Sequence, residues 1–330
     1  MNILITGATG FIGSFIVEEA LRRNMNVWVA VRKTSSLKYL TDERIRFLTL
    51  DFDDTQQMAK EMKDLRLDYV VHAAGLTKCV DPADFYRVNT DGTRHLVEAL
   101  LQLKMPLRRF VYLSSLSVCG AVCEGQPYRN ITEDTVLQPN TEYGKSKLKA
   151  EEYLKTVVGL PYIVLRPTGV YGPRERDYFL MAKSIVQHVD FAVGYKPQVL
   201  TFIYVLDVVQ AVFLSLDNGV VGNAYIISDG QEYDSRTFSD LLRRELGNPW
   251  LLRIKAPLWL LRAITFVGEH VGRLTGKVTA LNNDKYNIMR QRNWKCDISR
   301  ARRELGYKPA YDLDRGVVLT VKWYKENKWI

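Results

Sequence analysis

Tyr143 and Lys147, in Thr141-Glu142-Tyr143-Gly144-Lys145-Ser146-Lys147, place a phenol and an ammonium four residues apart. On a helix that spacing projects both side chains from one face. A free phenol has a pKa of roughly 10 and is a poor proton-transfer group at neutral pH, but a fixed cation beside it favours the phenolate. Tyr143 is therefore a candidate acid/base, with Lys147 expected to bring its pKa toward the working range. The plainer alternative is a solvated helix surface on which Tyr and Lys happen to fall at i and i+4, so the rest of the chain must decide.

A second chemical feature opens the chain. Ile3-Leu4-Ile5-Thr6 reads as a buried strand, and Gly7, Gly10 and Gly13 follow at three-residue spacing before a helix that begins near Phe11. A glycine turn between a strand and a helix lets bare backbone approach a pyrophosphate, whose charge then sits at the helix N-terminus. Dinucleotide binding follows, in a spacing G-x-x-G-x-x-G that differs from G-x-G-x-x-G. At the end of the second strand, where an acid would bind the ribose hydroxyls of NAD, the chain has Val31-Arg32-Lys33. Arg32 can grip a 2′-phosphate with a charge-assisted fork, and Lys33 or Lys38 can add a point charge. NADP(H) is favoured, with NAD(H) possible.

These residues need a scaffold, and the hydrophobic pattern supplies one. Short apolar runs at Asn2 to Thr6, Asn26 to Val31, Ile45 to Leu50, Tyr69 to Ala73, Arg109 to Ser114 and Tyr162 to Arg166 alternate with helical patterns. The helices expected are Phe11 to Arg23, Phe85 to Leu103 and Glu142 to Val157, which together predict an α/β protein with a doubly wound parallel sheet. The cluster Pro167, Gly169, Gly172, Pro173 marks a boundary, with the chain returning to the sheet near Ala224 to Ser228. The predicted division is a Rossmann domain over 1–172 with a return near 200–228, and a substrate lobe from 173–199 and 229–330.

The chain has 330 residues and ordinary soluble composition, 47% hydrophobic and 25% charged. Its formal charge of +9 is concentrated from Leu251 onward, where 17 Lys and Arg stand against 7 Asp and Glu. These basic residues are scattered among aliphatic ones, which favours a solvated surface or an anionic ligand over nucleic acid. Cys79, Cys119, Cys123 and Cys296 have neither C-x-x-C spacing nor a histidine cluster, so no disulfide framework and no metal site is expected. With no secretion signal at the start, a cytoplasmic location is expected. Ala256 to Val271 is the most apolar stretch. It contains Arg262 and Glu269 and is shorter than the roughly 20 residues of a membrane span, so it reads as a packing or pocket-wall helix, shallow membrane contact being the weaker reading.

Together the motifs resemble the extended short-chain dehydrogenase/reductases, the NAD-dependent epimerase/dehydratase group, and most closely its reductase and sterol-dehydrogenase-like members. The resemblance rests on Gly7-Ala8-Thr9-Gly10-Phe11-Ile12-Gly13, Leu50-Asp51-Phe52-Asp53, His72-Ala73-Ala74-Gly75, Leu113-Ser114-Ser115, Tyr143 to Lys147, and Arg166-Pro167-Thr168-Gly169-Val170-Tyr171-Gly172-Pro173. It implies Tyr143 as acid/base, Lys147 as tuner and ribose ligand, and Ser115, with Ser114 the near alternative, as donor to the substrate oxygen. It further implies Asp51 and Phe52 at the adenine, and Ala73, Ala74 and Gly75 along the cofactor. Thr9, Phe11, Ile12, Pro167, Thr168 and Val170 are implied as cofactor contacts, Asn89 as a support of the site, and His72 as a packed strand-end residue. A homodimer through Phe85 to Leu103 and Glu142 to Val157 is implied as well.

Members that dehydrate nucleotide sugars carry Thr-Asp-Glu where this chain has Ser115-Leu116-Ser117, so dehydration is not expected. Thr168, where epimerases often have Asn, points the same way for epimerisation, although Arg174 and Arg176 could hold a diphosphate. Three readings result: an NAD(P)(H)-dependent oxidoreductase acting on a small carbonyl or secondary alcohol, a nucleotide-sugar epimerase, and a cofactor-binding regulator without chemistry.

Overall fold

The computed structural model describes residues 1–276 and 282–330. Its first half runs β1 (Asn2–Thr6), α1 (Phe11–Arg22), β2 (Asn26–Val31), β3 (Arg46–Thr49), α2 (Thr55–Met62), β4 (Tyr69–His72), α3 (Ala83–Phe85), α4 (Gly92–Gln102), β5 (Arg109–Leu113), α5 (Glu142–Thr156) and β6 (Tyr162–Pro167). There follow β7 (Gly169–Tyr171), α6 (Asp177–Val186), β8 (Val189–Val193), β9 (Val199–Leu200), β10 (Phe202–Tyr204), α7 (Val205–Asp217) and β11 (Ala224–Ile227). The chain closes with β12 (Tyr233–Asp234), α8 (Thr237–Glu245), β13 (Leu252–Ala256), α9 (Leu258–Thr275), α10 (Asn283–Arg290), α11 (Ser299–Leu305) and α12 (Leu313–Glu326).

Seven strands form one sheet in the order β11-β6-β5-β4-β1-β2-β3, and every pairing in it is parallel. The architecture is the expected doubly wound α/β sheet. Alternation along β1 shows how the two faces are filled. Ile3 and Ile5 pack with Ile16 and Val17 of α1 and Val208 and Val212 of α7. Leu4 points the other way, into a core with Met58 of α2, Leu96 of α4 and Leu154 of α5. Helices on both faces bury both sides of the strands, which is why they are continuous apolar runs.

The chain moves outward from β1 to β3 and then returns to place β4 on the other side of β1. Ligands of such sheets bind at the carboxyl ends of the strands where this reversal occurs. Here that point lies between Gly7, after β1, and Ala73, after β4.

The helix expected over Phe85 to Leu103 differs in detail. Between α3 and α4 the backbone winds as a π-helix over Tyr86–Asp91. The reason is Asn89, fully buried in this segment. Its Oδ1 accepts from the Leu76 amide at 2.7 Å, and its Nδ2 donates to the Leu76 carbonyl at 3.0 Å and to Ser146 Oγ at 2.9 Å. The wider turn holds the amide against the loop after β4, and such insertions recur at functional sites.

Candidate active site

The glycine turn is shaped by contact. Gly7 adopts φ +68°, and a Cβ there would lie 2.5 Å from the Ala73 carbonyl carbon; a Cβ on Gly13 would lie 2.1 Å from the Gly7 oxygen. Neither position admits a side chain. Gly10 is the N-cap of α1, without a side-chain cap, and no acid stands in the first turn. The leading amides of α1 are thus left for an external anion.

From this turn a cavity of about 1010 Å³ runs across the ends of β1, β4, β5 and β6. Gly7, Thr9, Gly10, Phe11, Ile12 and Gly13 line its entrance, Ala73 and Gly75 its floor, and Pro167, Thr168 and Val170 its side. Ser114, Ser115 and Tyr143 line the same space. Thr168 Oγ1 is buried with no hydrogen-bond partner, an orphaned polar atom facing the cavity. An uncapped helix start, a glycine cradle and this hydroxyl suit a dinucleotide, with its pyrophosphate at α1.

Tyr143 sits in the first turn of α5, and that turn is fixed from two directions. Thr141 caps it, Oγ1 accepting from the Gly144 amide at 2.9 Å. Asp284 of α10 adds a second clamp, its carboxylate accepting from the Glu142 and Tyr143 amides at 2.9 and 3.0 Å. Asp284 was not legible in the sequence because its partners lie some 140 positions away and it matches no motif.

Lys147 is tied to the end of β5. It is almost fully buried, and its Nζ donates to the Leu113 carbonyl at 2.8 Å and lies 4.7 Å from the Tyr112 ring centre. Burial lowers its pKa to about 8, against the pull of Glu151. Tyr143 is pushed up to about 12 by burial, and the Ser115 hydroxyl, a donor to the phenolate, works in the opposite direction. Burial dominates that balance, so the Tyr143 pKa lies above its ordinary value rather than below it. Tyr143 is a protonated donor here.

The two serines are told apart by their partners. Ser114 Oγ donates to Glu151 Oε1 at 2.5 Å, and Glu151 is in turn paired with Arg166, Nη2 to Oε2 at 2.6 Å, with both side chains buried. Ser114 is thus committed to a buried network. Ser115 caps the short 3-10 turn Leu116–Val118, accepting from the Ser117 amide at 3.1 Å and donating to Ser117 Oγ at 3.1 Å, and lies beside Tyr143. His72 is fully buried between Thr6 Oγ1 at 2.7 Å and Thr93 Oγ1 at 2.9 Å. Burial, helped by the Lys147 charge, drops its pKa to about 3. It is a neutral strut.

Arg32, Lys33, Asp51, Phe52, Ala74 and Lys147 do not line the cavity. Arg32 and Lys33 are exposed just beyond β2, where the Arg32 amide donates to Ser35 Oγ at 3.0 Å. Asp51 and Phe52 follow β3; the Phe52 ring stacks on His72 at 6.0 Å, and its carbonyl is 2.7 Å from His95 Nδ1. Ala74 donates its amide to Thr6 Oγ1 at 3.1 Å. All lie at the carboxyl edge of the parallel sheet, on the side of the glycine turn.

The far wall comes from residues the sequence did not mark. Lys78 and Lys285 share Asp177, Lys285 at 3.5 Å, and Tyr178, Met181, Phe191, Met289 and Trp329 complete the lining. Arg174, which the sequence offered for a diphosphate, lines the cavity with its guanidinium tied to α1. Its guanidinium is sandwiched between Phe15 and Tyr39, 4.2 and 4.3 Å from the ring centres, and donates to Ser14 Oγ at 2.9 Å and Glu18 at 2.6 Å. Among the described residues no His, Cys, Asp and Glu cluster could hold a metal ion, and no helix is long and apolar enough to cross a membrane.

Fold and site define a dinucleotide-dependent α/β enzyme. The model of the NAD dependent epimerase/dehydratase family matches residues 3–228, and the chain belongs to that family. It is an NAD(P)-dependent enzyme of the extended short-chain dehydrogenase/reductase class. It is 25% identical to sterol demethylase protein B of Methylococcus capsulatus, over 100% of both chains. It is 26% identical to the dTDP-glucose 4,6-dehydratase of Salmonella typhimurium, over 100% of this chain and 94% of that one. Among solved structures it is similar to the UDP-glucose 4-epimerase of Thermotoga maritima, with TM-score 0.80, 23% identity and coverage of 99% of this chain and 100% of that one.

Proposed function

We propose that this protein is an NADP(H)-dependent oxidoreductase that exchanges hydride with a small, fairly apolar carbonyl or secondary alcohol. The observation that supports it best is one cavity joining the glycine turn to the Tyr143 and Ser115 hydroxyls. When bound, the nicotinamide supplies or accepts the hydride. Tyr143 gives its proton to the substrate oxygen in the reducing direction and recovers it in the oxidising one. Ser115 donates to the same oxygen as charge develops on it. Lys147, behind Tyr143, holds the Leu113 carbonyl and reaches the ribose once the site is filled. Arg32 and Lys33 take the 2′-phosphate at the exposed end of β2.

The reading against dehydration rests on the segment Ser115-Leu116-Ser117, which has no carboxyl group. The cavity's own carboxylates are occupied elsewhere. Glu175 accepts from the Asp177 and Tyr178 amides at 2.7 and 2.6 Å, and Asp177 is held by its two lysines. Epimerisation is the second reading, favoured by the basic groups Lys78, Lys285 and Arg176 in the lining, which suit an anionic substrate. The aromatic and methionine lining, and the likeness to a sterol-metabolising protein, support the apolar substrate instead. We further propose that residues 173–199 and 229–330 form the substrate-side lobe, and that two copies pair through the helices α4 and α5.

A panel of ketones, secondary alcohols and nucleotide sugars tests this, followed at the reduced-nicotinamide absorbance with NADPH and NADH. The proposal expects stoichiometric oxidation of NADPH by an apolar ketone. Conversion of a nucleotide sugar without net change in absorbance would replace it with epimerisation.

A further inference from the structure

Helix α9 turns its apolar side outward. At about 100° per residue, Leu261, Thr265 and Gly272 fall on one strip, and they are its buried positions among the described residues. The opposite arc holds Trp259, Phe266 and Val267, which are 72%, 65% and 59% exposed, with Ile264, Val271 and Leu274 beside them, also exposed. A helix packed on a globular core has the reverse polarity. The sequence expectation of a packing helix thus holds for a narrow strip, and the arc of Trp259, Phe266 and Val267 is left exposed.

The apolar face continues beyond the helix. β13 pairs in parallel with β8, Ile254 opposite Phe191, and Trp250, Leu252, Phe191 and Tyr195 are all more than half exposed. Basic residues border it: Lys196, Lys255 and Arg262 are exposed, and none is paired with a carboxylate among the described residues. Exposed Trp and Tyr beside Lys and Arg, around an apolar helical face, match the interface of a bilayer, where aromatic rings sit at headgroup depth and cations meet anionic lipid. A second copy of the chain fits less well. A two-fold contact would bring these three cations, none paired with a carboxylate among the described residues, toward their own counterparts.

We infer that α9, with the adjoining edge of β8 and β13, docks the protein onto an anionic lipid surface. The helix lies in the plane of the interface with Trp259 and Phe266 at the acyl boundary, and no helix of the described residues crosses the membrane. Phe191 belongs both to this face and to the cavity lining, so docking brings the cavity mouth to the apolar layer. That purpose rests on the proposed apolar substrate; the docking itself does not.

Flotation of the full chain, without cofactor or substrate, tests it on vesicles of equal parts phosphatidylcholine and phosphatidylglycerol and on phosphatidylcholine alone. The protein floats with the anionic vesicles and binds the neutral ones at least about tenfold more weakly, and high salt weakens the anionic binding. The pairs Trp259→Glu with Phe266→Glu, and Lys255→Glu with Arg262→Glu, each reduce anionic binding about tenfold or more with unchanged melting temperature. Failure of the wild type to float, or flotation of the Trp259→Glu, Phe266→Glu variant as well as the wild type, overturns the inference. So does light scattering that shows the same variant converting a dimer to a monomer when the wild type ignores vesicles. Vesicle binding without turnover of any apolar ketone would leave docking standing and sink the substrate reading alone.

Discussion

Behind the cavity floor, polar side chains are tied into dense networks: Asn89 to the Leu76 backbone and Ser146, Lys147 to Leu113, Ser114 to Glu151 and on to Arg166. The opposite wall is looser, with partly exposed Lys78 and Lys285 about one carboxylate and with Phe191 opening toward an exposed apolar face. In the proposed reaction the floor would fix the geometry of a proton donor and a cofactor, which tolerates little variation in position. The wall would meet the proposed substrate and the inferred surface, whose shapes are not encoded in this chain. The contrast explains why the reaction class is easier to reach than the substrate.

If the floor is rigid because its charges are buried and satisfied, breaking one should be costly. Glu151→Gln strands the Arg166 guanidinium and is expected to lower stability by about 3–5 kcal/mol in denaturant melts. A change below about 1 kcal/mol would mean the pair is not the floor's anchor. The effect on cofactor choice should be smaller. Arg32→Asp is expected to weaken NADPH binding about 10–100-fold, through loss of a charge-assisted hydrogen bond, and to leave NADH binding less affected. Equal losses for both cofactors in calorimetry would remove Arg32 from the 2′-phosphate.

Lys147 offers a test by pH. Its folded pKa, about 8, lies below the ordinary value of 10.5, so between those values the unfolded chain holds more protons than the folded one. Its linkage therefore makes stability rise with pH across that window, and below about 8, where it is charged in both states, it carries its full penalty. Activity should move the opposite way. kcat/KM, which reports the free enzyme, should fall as pH passes about 8 if the ammonium is needed. Lys147→Met should abolish that limb. The smallest effect belongs to the contact that joins wall to floor: Asp284→Ala should cost about 0.5–2 kcal/mol, the scale of a lost helix cap. It should also lower kcat with little change in NADPH affinity, because the Tyr143 turn loosens.

The floor was largely legible in the sequence, for reasons visible in its parts. Gly7 and Gly13 are forced by backbone contacts, and β1 is apolar throughout because both its faces are buried, so residue type alone reports their place. The π-helical turn at Tyr86–Asp91 was hidden because one wide turn barely disturbs helical periodicity, and its cause, Asn89 reaching Leu76, is a tertiary contact. The Tyr143 pKa went the other way because spacing on a helix says nothing about burial. Asp284, Asp177 and Lys285 come together from distant segments. Helix α9 looked like core because composition cannot say which apolar helix finds a partner.

The central claim is that Tyr143 donates the proton while the cofactor is held by the glycine turn. Tyr143→Phe tests it most directly, with turnover of an apolar ketone and NADPH binding measured on the same preparation. A loss of about 10²–10⁴-fold in kcat with NADPH affinity unchanged is the predicted result. Turnover within about threefold of the wild type would contradict it, because a residue that supplies the proton cannot be removed at so little cost.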